Sequence, residues 1–275
     1  MSKAISSHYT QVESVNIHYT MSGQGETILF LHGWPTSSYL WRNILPGLAT
    51  KYQVIALDLP GFGNSDKRLE DSFSFRYFNR IISGFLKNLE IETVTLGIHD
   101  LGGPIGLNWT IHNMEKVNRL ILFNTLVYPK LSWAVKLFGL ATVVPGVKNW
   151  LSSPIGIKKA INFGVHQKHR LTNEIIQQYQ APFKDKNARK VLLKSVQRLS
   201  IKGFQEIERK LPSFKKPVQI LYGERDNILP KVKKTMERVK RDLPQAQIRS
   251  FPDCGHFLQE ESPKQLSDAI LNFMR

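Results

Sequence analysis

The stretch Val94-Thr95-Leu96-Gly97-Ile98-His99-Asp100-Leu101-Gly102-Gly103 joins a strand to a helix with a carboxylate at the joint. Val94 to Ile98 is an apolar run too short for a helix and fits a strand covered on both faces. The residues from about 103 to 113 read as helix, and the glycines at 102 and 103 let that helix pack close to the strand. Asp100 thus stands in a tight strand-to-helix turn, the geometry of a nucleophile elbow, with aspartate where serine often sits. No serine in the chain has glycine at both second-neighbour positions, so a serine elbow is not available.

The same alternation extends outward. Upstream, residues 8 to 23 read as a hairpin or two edge strands, and Thr27 to Leu31 and Val54 to Leu57 as buried strands. Residues 37 to 50 read as a helix capped by Ser37, and residues 74 to 89 as a helix whose aromatic stripe is core. Downstream, a fourth strand is expected at Arg119 to Phe123, after which the pattern stops. Residues 129 to 212 are helical, basic and punctuated by proline. The alternation resumes with strands at Val218 to Tyr222 and Gln247 to Phe251 and helices near 231 to 242 and 262 to 274. The expectation is an α/β fold with a mostly parallel sheet and helices on both faces. Residues 1–128 and 213–275 form its core domain and 129–212 a helical cap.

Composition narrows the function classes. The 275 residues are 41% apolar and 22% charged, which excludes bulk disorder and a membrane-embedded chain. The first 25 residues hold no basic stretch followed by an apolar core, so no signal peptide is expected. The single cysteine, Cys254, excludes an internal disulfide and fits a reducing, cytoplasmic setting. The net charge of +16 sits almost wholly in one segment: residues 129 to 216 carry 18 basic and 4 acidic residues, whereas residues 1 to 128 are neutral overall. No nucleic-acid-binding signature accompanies it, so nucleic acid is not an expected partner. A solvated helical surface, an anionic membrane and an acidic partner stay open for the basic cap, as does the oligomeric state.

Two more strand ends are chemically loaded. Gly223-Glu224-Arg225-Asp226 follows one strand and Asp253-Cys254-Gly255-His256 the last. Asp100, Asp226 and His256 follow the order nucleophile, acid, base, with Glu224 as the alternative acid. His166 and His169 have helical spacing but no evident third ligand, so no metal is expected.

His32-Gly33-Trp34-Pro35, Asp58-Leu59-Pro60-Gly61-Phe62-Gly63-Asn64-Ser65, the His99-Asp100 elbow and Gly255-His256-Phe257 together resemble the α/β-hydrolase superfamily, in its haloalkane dehalogenase and epoxide hydrolase branch. The similarity runs from about residue 9 to the C-terminus and is weakest in the helical insertion. It implies an enzyme that uses no cofactor and acts on a small apolar organic substrate with water. Asp100 would form an alkyl ester, and His256, oriented by Asp226, would activate water to cleave it. The backbone N–H groups of Trp34 and Leu101 would form the oxyanion hole. Some relatives place the acid after the fourth strand, where this chain has Asn124-Thr125.

The departures concern the leaving group. In dehalogenases a tryptophan after the nucleophile holds the halide, and here that residue is Leu101. A second donor, an asparagine in some members, is replaced by Trp34. Trp133 and Trp150 in the insertion are candidate substitutes lining the substrate pocket. Epoxide opening would need an acid, for which Tyr128 and Tyr179 are candidates. A luciferase-like oxygenase and a non-catalytic membrane-surface protein remain as alternatives on the same fold.

Overall fold

The computed structural model describes residues 4–275, so the first three residues of the N-terminal stretch read above lie outside it. The chain opens with a hairpin, β1 (Ser6–Val12) and β2 (Val15–Ser22), in which Val12 pairs with Val15 across a turn where Glu13 takes a φ of 55°. Then follow β3 (Thr27–Leu31), α1 (Leu45–Leu48), β4 (Gln53–Leu57), α2 (Phe75–Asn88), β5 (Val94–Asp100), α3 (Gly102–Thr110) and β6 (Val117–Thr125). Six α-helices come next: α4 (Trp133–Ala141), α5 (Val147–Leu151), α6 (Pro154–Gly164), α7 (Asn173–Gln180), α8 (Lys186–Gln197) and α9 (Ile201–Lys210). The chain closes with β7 (Val218–Gly223), α10 (Val232–Asp242), β8 (Gln247–Phe251), α11 (Leu258–Glu261) and α12 (Pro263–Phe273).

The eight strands form one sheet in the order β1-β2-β4-β3-β5-β6-β7-β8. β1, β2 and β4 pair antiparallel, and the pairs from β4 through β8 are parallel. The central strands β3 and β5 are buried along nearly their whole length, as their unbroken apolar runs require. The stripe on α2 packs inward through Phe78, Ile82 and Phe85, each fully buried. Each is worth about 2–3 kcal/mol of apolar transfer.

The sheet order creates the site. From β3 the chain steps to β4 on one side, whereas β5 lies on the other, so the order reverses between β3 and β5. In open α/β sheets such a reversal leaves a crevice at the carboxyl ends of the two strands. Leu31 pairs with Ile98, which sets the loops that follow, His32 to Trp34 and His99 to Leu101, side by side.

One expected helix is not continuous. Residues 38–41 form a single 3₁₀ turn and α1 is only four residues long. Pro46 in the first turn of α1 has no N–H to give the Arg42 carbonyl and its ring crowds that carbonyl, so the turn at 38–41 cannot run on into α1, while the N–H of Ser38, free at a helix start, is capped by the Asp58 carboxylate at 2.5 Å. The fourth strand is longer at both ends than the apolar run alone suggests. No helix among the described residues is long and apolar enough to cross a membrane.

The insertion between β6 and β7 contains helices and no strand among the described residues. Its later part is anchored to the core: α9 packs on α3, and Phe204 meets Phe75 edge-on at 5.6 Å. Its first helix, α4, has no buried residue at all.

Candidate active site

Asp100 ends β5 with a φ of 49°, a left-handed conformation uncommon for a residue with a Cβ and worth about 1–3 kcal/mol of strain. Its surroundings hold it there. Thr125 Oγ1 donates to the Asp100 carbonyl at 2.7 Å, and a Cβ on Gly103 would stand 1.5 Å from that same hydroxyl oxygen. A Cβ on Gly33 would lie 2.3 Å from Asp100 Oδ1, so only glycine there lets the carboxylate lie against the loop after β3. In that position Oδ1 accepts the backbone N–H of Trp34 at 2.7 Å, and the Leu101 N–H also bonds the carboxylate.

His256 is fully buried, and its Nε2 stands 3.4 Å from Asp100 Oδ2, within ion-pair range but outside hydrogen-bond geometry. Nδ1 donates to Asp226 Oδ2 at 2.8 Å. The ring is fixed from behind, since its backbone N–H donates to Gly164 of the insertion at 2.7 Å and its carbonyl accepts His99 Nε2 at 3.0 Å. Asp226 in turn accepts the N–H groups of Ile228 and Leu229 at 2.8 and 2.7 Å and the amide of Asn124 at 2.6 Å. Asn124 Oδ1 takes the Gly223 N–H at 2.8 Å, which forces the amide nitrogen toward Asp226.

The charges follow from this packing. Burial alone would lower the His256 pKa, but the carboxylates of Asp226 and Asp100 reverse that and push it up to about 10. Burial alone would raise both carboxyls, and the His256 cation holds each below its ordinary value. His99, buried and facing the His256 cation, is pushed down to about 3 and stays neutral. Asp100 and Asp226 are therefore anionic and His256 cationic at neutral pH.

Asp100, Asp226, His256, Trp34 and Leu101 thus converge on one crevice. The four pocket candidates, three in the insertion and Tyr128 at its edge, do not join them. Trp133 and Trp150 are 66% and 51% exposed, because their helices present those faces to solvent. The Tyr128 hydroxyl donates to Asp242 at 2.6 Å, with the Arg238 guanidinium stacked on its ring at 3.7 Å. Tyr179 donates to Glu260, whose carboxylate is gripped by Arg42 at 2.6 and 2.7 Å. Of the insertion, Phe138 of α4 meets the Trp34 indole edge-on at 4.8 Å. Trp34 is 8% exposed, and its Nε1 is buried without a hydrogen-bond partner.

Three contributors escaped the sequence. Asn124 was noted only as a residue that is not an acid, and it supports the acid instead. Asp58, given no role in the motif above, is a buried hub that joins His18 Nδ1 at 2.7 Å to the backbone N–H groups of Ser38 and Asn64. Glu261 takes the N–H groups of Gly255, His166 and Gln167, tying the His256 loop to the insertion. Among the described residues no group of three or more His, Cys, Asp or Glu has the arrangement of a metal site.

Comparison with known proteins agrees with this architecture. The alpha/beta hydrolase fold family matches residues 26–263. The uncharacterized hydrolase YugF of Bacillus subtilis (strain 168) is 31% identical, with 96% of each chain covered. A cis-3-alkyl-4-alkyloxetan-2-one decarboxylase of Shewanella oneidensis is 29% identical over 97% of this chain and 87% of its own. The structure of the haloalkane dehalogenase DbeA from Bradyrhizobium elkani USDA94 superimposes with a TM-score of 0.87 at 21% identity, covering 98% of this chain and 97% of that one. At that identity the likeness is one of fold.

Proposed function

Because the chain belongs to the alpha/beta hydrolase fold family, we propose that it hydrolyses a small apolar alkyl electrophile through a covalent ester on Asp100, with His256 as base and Asp226 as its orienting acid. The observation that carries this reading is the line from Trp34 N–H through Asp100 and His256 to Asp226, with separations of 2.7, 3.4 and 2.8 Å. Residues 129–212 act as a cap in this reading, since Phe138 lies over Trp34.

An ionised carboxylate needs no base to attack. Asp100 Oδ2 forms a bond to a saturated carbon while the leaving group departs with its electron pair. The ester is neutral, so His256 loses one of the two charges that keep it protonated and releases its proton to solvent. The neutral imidazole then takes a proton from water as hydroxide adds to the ester carbonyl. Trp34 and Leu101 donate to the resulting oxyanion, an arrangement in which each donor is worth roughly 100-fold in rate. Collapse expels the alkoxide, which takes the proton from His256. The carboxylic acid left on Asp100 returns its proton to the imidazole.

The leaving group must be one that a sparse site can release. Beside the nucleophile, Trp34 Nε1 is a buried donor without a partner, and Leu101 brings no side-chain donor. Halide release on these terms is slow. Epoxide opening is less favoured, because the hydroxyls of Tyr128 and Tyr179 are committed to carboxylates. A second reading is supported by the relative that acts on oxetan-2-ones. Attack on the alkyl carbon of such a ring expels a carboxylate, which needs neither a halide pocket nor a proton. The ester can then fragment: the bond to the carboxylate breaks to release carbon dioxide, its electrons form an alkene, and Asp100 leaves as carboxylate.

The test is intact-mass and peptide-mass spectrometry of a His256→Ala variant incubated with bromoalkanes, epoxides and cis-3,4-dialkyloxetan-2-ones. The expected result is an adduct on Asp100 whose mass names the electrophile or, with the oxetan-2-ones, whose ester can fragment without His256, release of the alkene. Absence of an adduct across all three panels, and of alkene from the oxetan-2-ones, defeats the proposal.

A further inference from the structure

We propose that the exposed face of α4, α5 and α6 docks on an anionic lipid bilayer. Two independent features coincide there. Nine large hydrophobic side chains that are exposed lie between residues 133 and 163, against five in the rest of the described chain. From residue 129 to 172 the sequence holds seven Lys and Arg and no Asp or Glu.

The arrangement is ordered by helix geometry. On α4, Trp133, Leu137 and Leu140 follow at i, i+4 and i+7, one stripe that faces outward while Phe138 faces the core. On α6, exposed Ile155 and Phe163 flank Lys158 and Lys159, while Ile157 and Ile161 turn inward. α5 packs against both helices and adds exposed Trp150, so the surface is continuous. Apolar side chains, tryptophans and lysines without any carboxylate are the composition of a helix face lying in the headgroup region. There the lysine stems stay in the apolar layer while the ammonium groups reach the anionic heads.

Other occupants fit less well. A second copy of this face would bring two sets of cations together with no anion between them. A nucleic acid would satisfy the cations and leave Leu137, Leu140 and Ile155 against water or phosphate. A bilayer satisfies both sets at once. The helix that would touch lipid is also the one whose Phe138 covers Trp34, so about 10 Å, one helix diameter, separates the bilayer from the roof of the crevice.

The experiment is flotation of the full chain with vesicles of phosphatidylcholine alone and of phosphatidylcholine mixed three to one with phosphatidylglycerol. Binding to the mixed vesicles, with a blue shift of tryptophan emission, is the expected result. Each cation near an anionic leaflet multiplies binding by about fivefold, so Lys158→Gln with Lys159→Gln should weaken it by about 25-fold. Leu137→Ser with Leu140→Ser, both solvent-facing, should weaken it by about tenfold or more with thermal stability unchanged. No binding to the mixed vesicles overturns the proposal. So does binding unaffected by the leucine substitutions, which would make it a purely ionic association. Sedimentation of the lipid-free protein as a dimer that the same leucine substitutions dissociate would give the face to a second copy instead. None of these readouts depends on the chemistry at Asp100.

Discussion

Replacing Asp100 with asparagine should convert His256 from a cation into a neutral base without displacing it. The imidazole lies between two carboxylates, and the substitution removes the charge of one while keeping its shape. At an effective dielectric of ~20, unit charges 3.4 Å apart attract by about 5 kcal/mol. That energy is worth about 3.5 pH units of proton affinity, so the midpoint should fall from about 10 to between about 6 and 7. The sign is fixed by the charge removed: an anion stabilises the protonated ring, and its loss favours the neutral one. Imidazole nitrogen NMR across a pH titration measures this directly, with the His256 signals assigned by their loss in His256→Gln. The same fall should occur in the wild type when Asp100 is alkylated, which is how one histidine is charged in the resting state and basic in the next step. A midpoint that stays near 10 in Asp100→Asn would refute the electrostatic coupling and with it the timing of the base.

Three further outcomes test the supporting structure. Asn124→Ala should slow ester hydrolysis by about tenfold in single-turnover kinetics while leaving alkylation of Asp100 unchanged, because it removes a neutral donor from Asp226 but nothing from the nucleophile. Gly103→Ala should lower unfolding free energy by about 2 kcal/mol, read by denaturant titration, since its Cβ collides with Thr125 Oγ1; an unchanged midpoint would mean that α3 need not approach β6 so closely. Tyr179→Phe should reduce thermal stability by about 1 kcal/mol and leave turnover of any epoxide within about threefold, whereas a loss of epoxide turnover alone would reinstate the hydroxyl as an acid.

The parts of the fold written in local pattern were legible. Strand β5, its elbow and α3 follow one another without interruption, and each is specified by residues within a few positions of itself. The grouping of Asp100, Asp226 and His256 was legible for a similar reason, since each stands at a strand's end or within five residues of one. What the chain does not reveal locally depends on partners far away in sequence. Tyr128 and Tyr179 look like free hydroxyls until Asp242 and Glu260 arrive from 114 and 81 residues away. Trp133 and Trp150 illustrate the opposite error: an aromatic residue in an insertion invites a pocket, and only packing tells which face of its helix is turned out.

The clasp of Arg42, Glu260 and Tyr179 gives the insertion one of its fixed points. Tyr179 sits on α7, locked through Glu260 to Arg42 and meeting Tyr39 edge-on at 5.5 Å, all within the core's own surface. α4, at the other extremity, rests on the core with no fully covered residue. The insertion is thus held to the core through α6, α7 and α9, and α4 is its least anchored part. If the proposed chemistry holds, α4 with its Phe138 is the part of the roof over Trp34 that the core grips least. Under the proposed reaction the trailing part of a substrate would meet α4, and its reacting end would meet Trp34 and Leu101. Preferences for the two ends could then change separately.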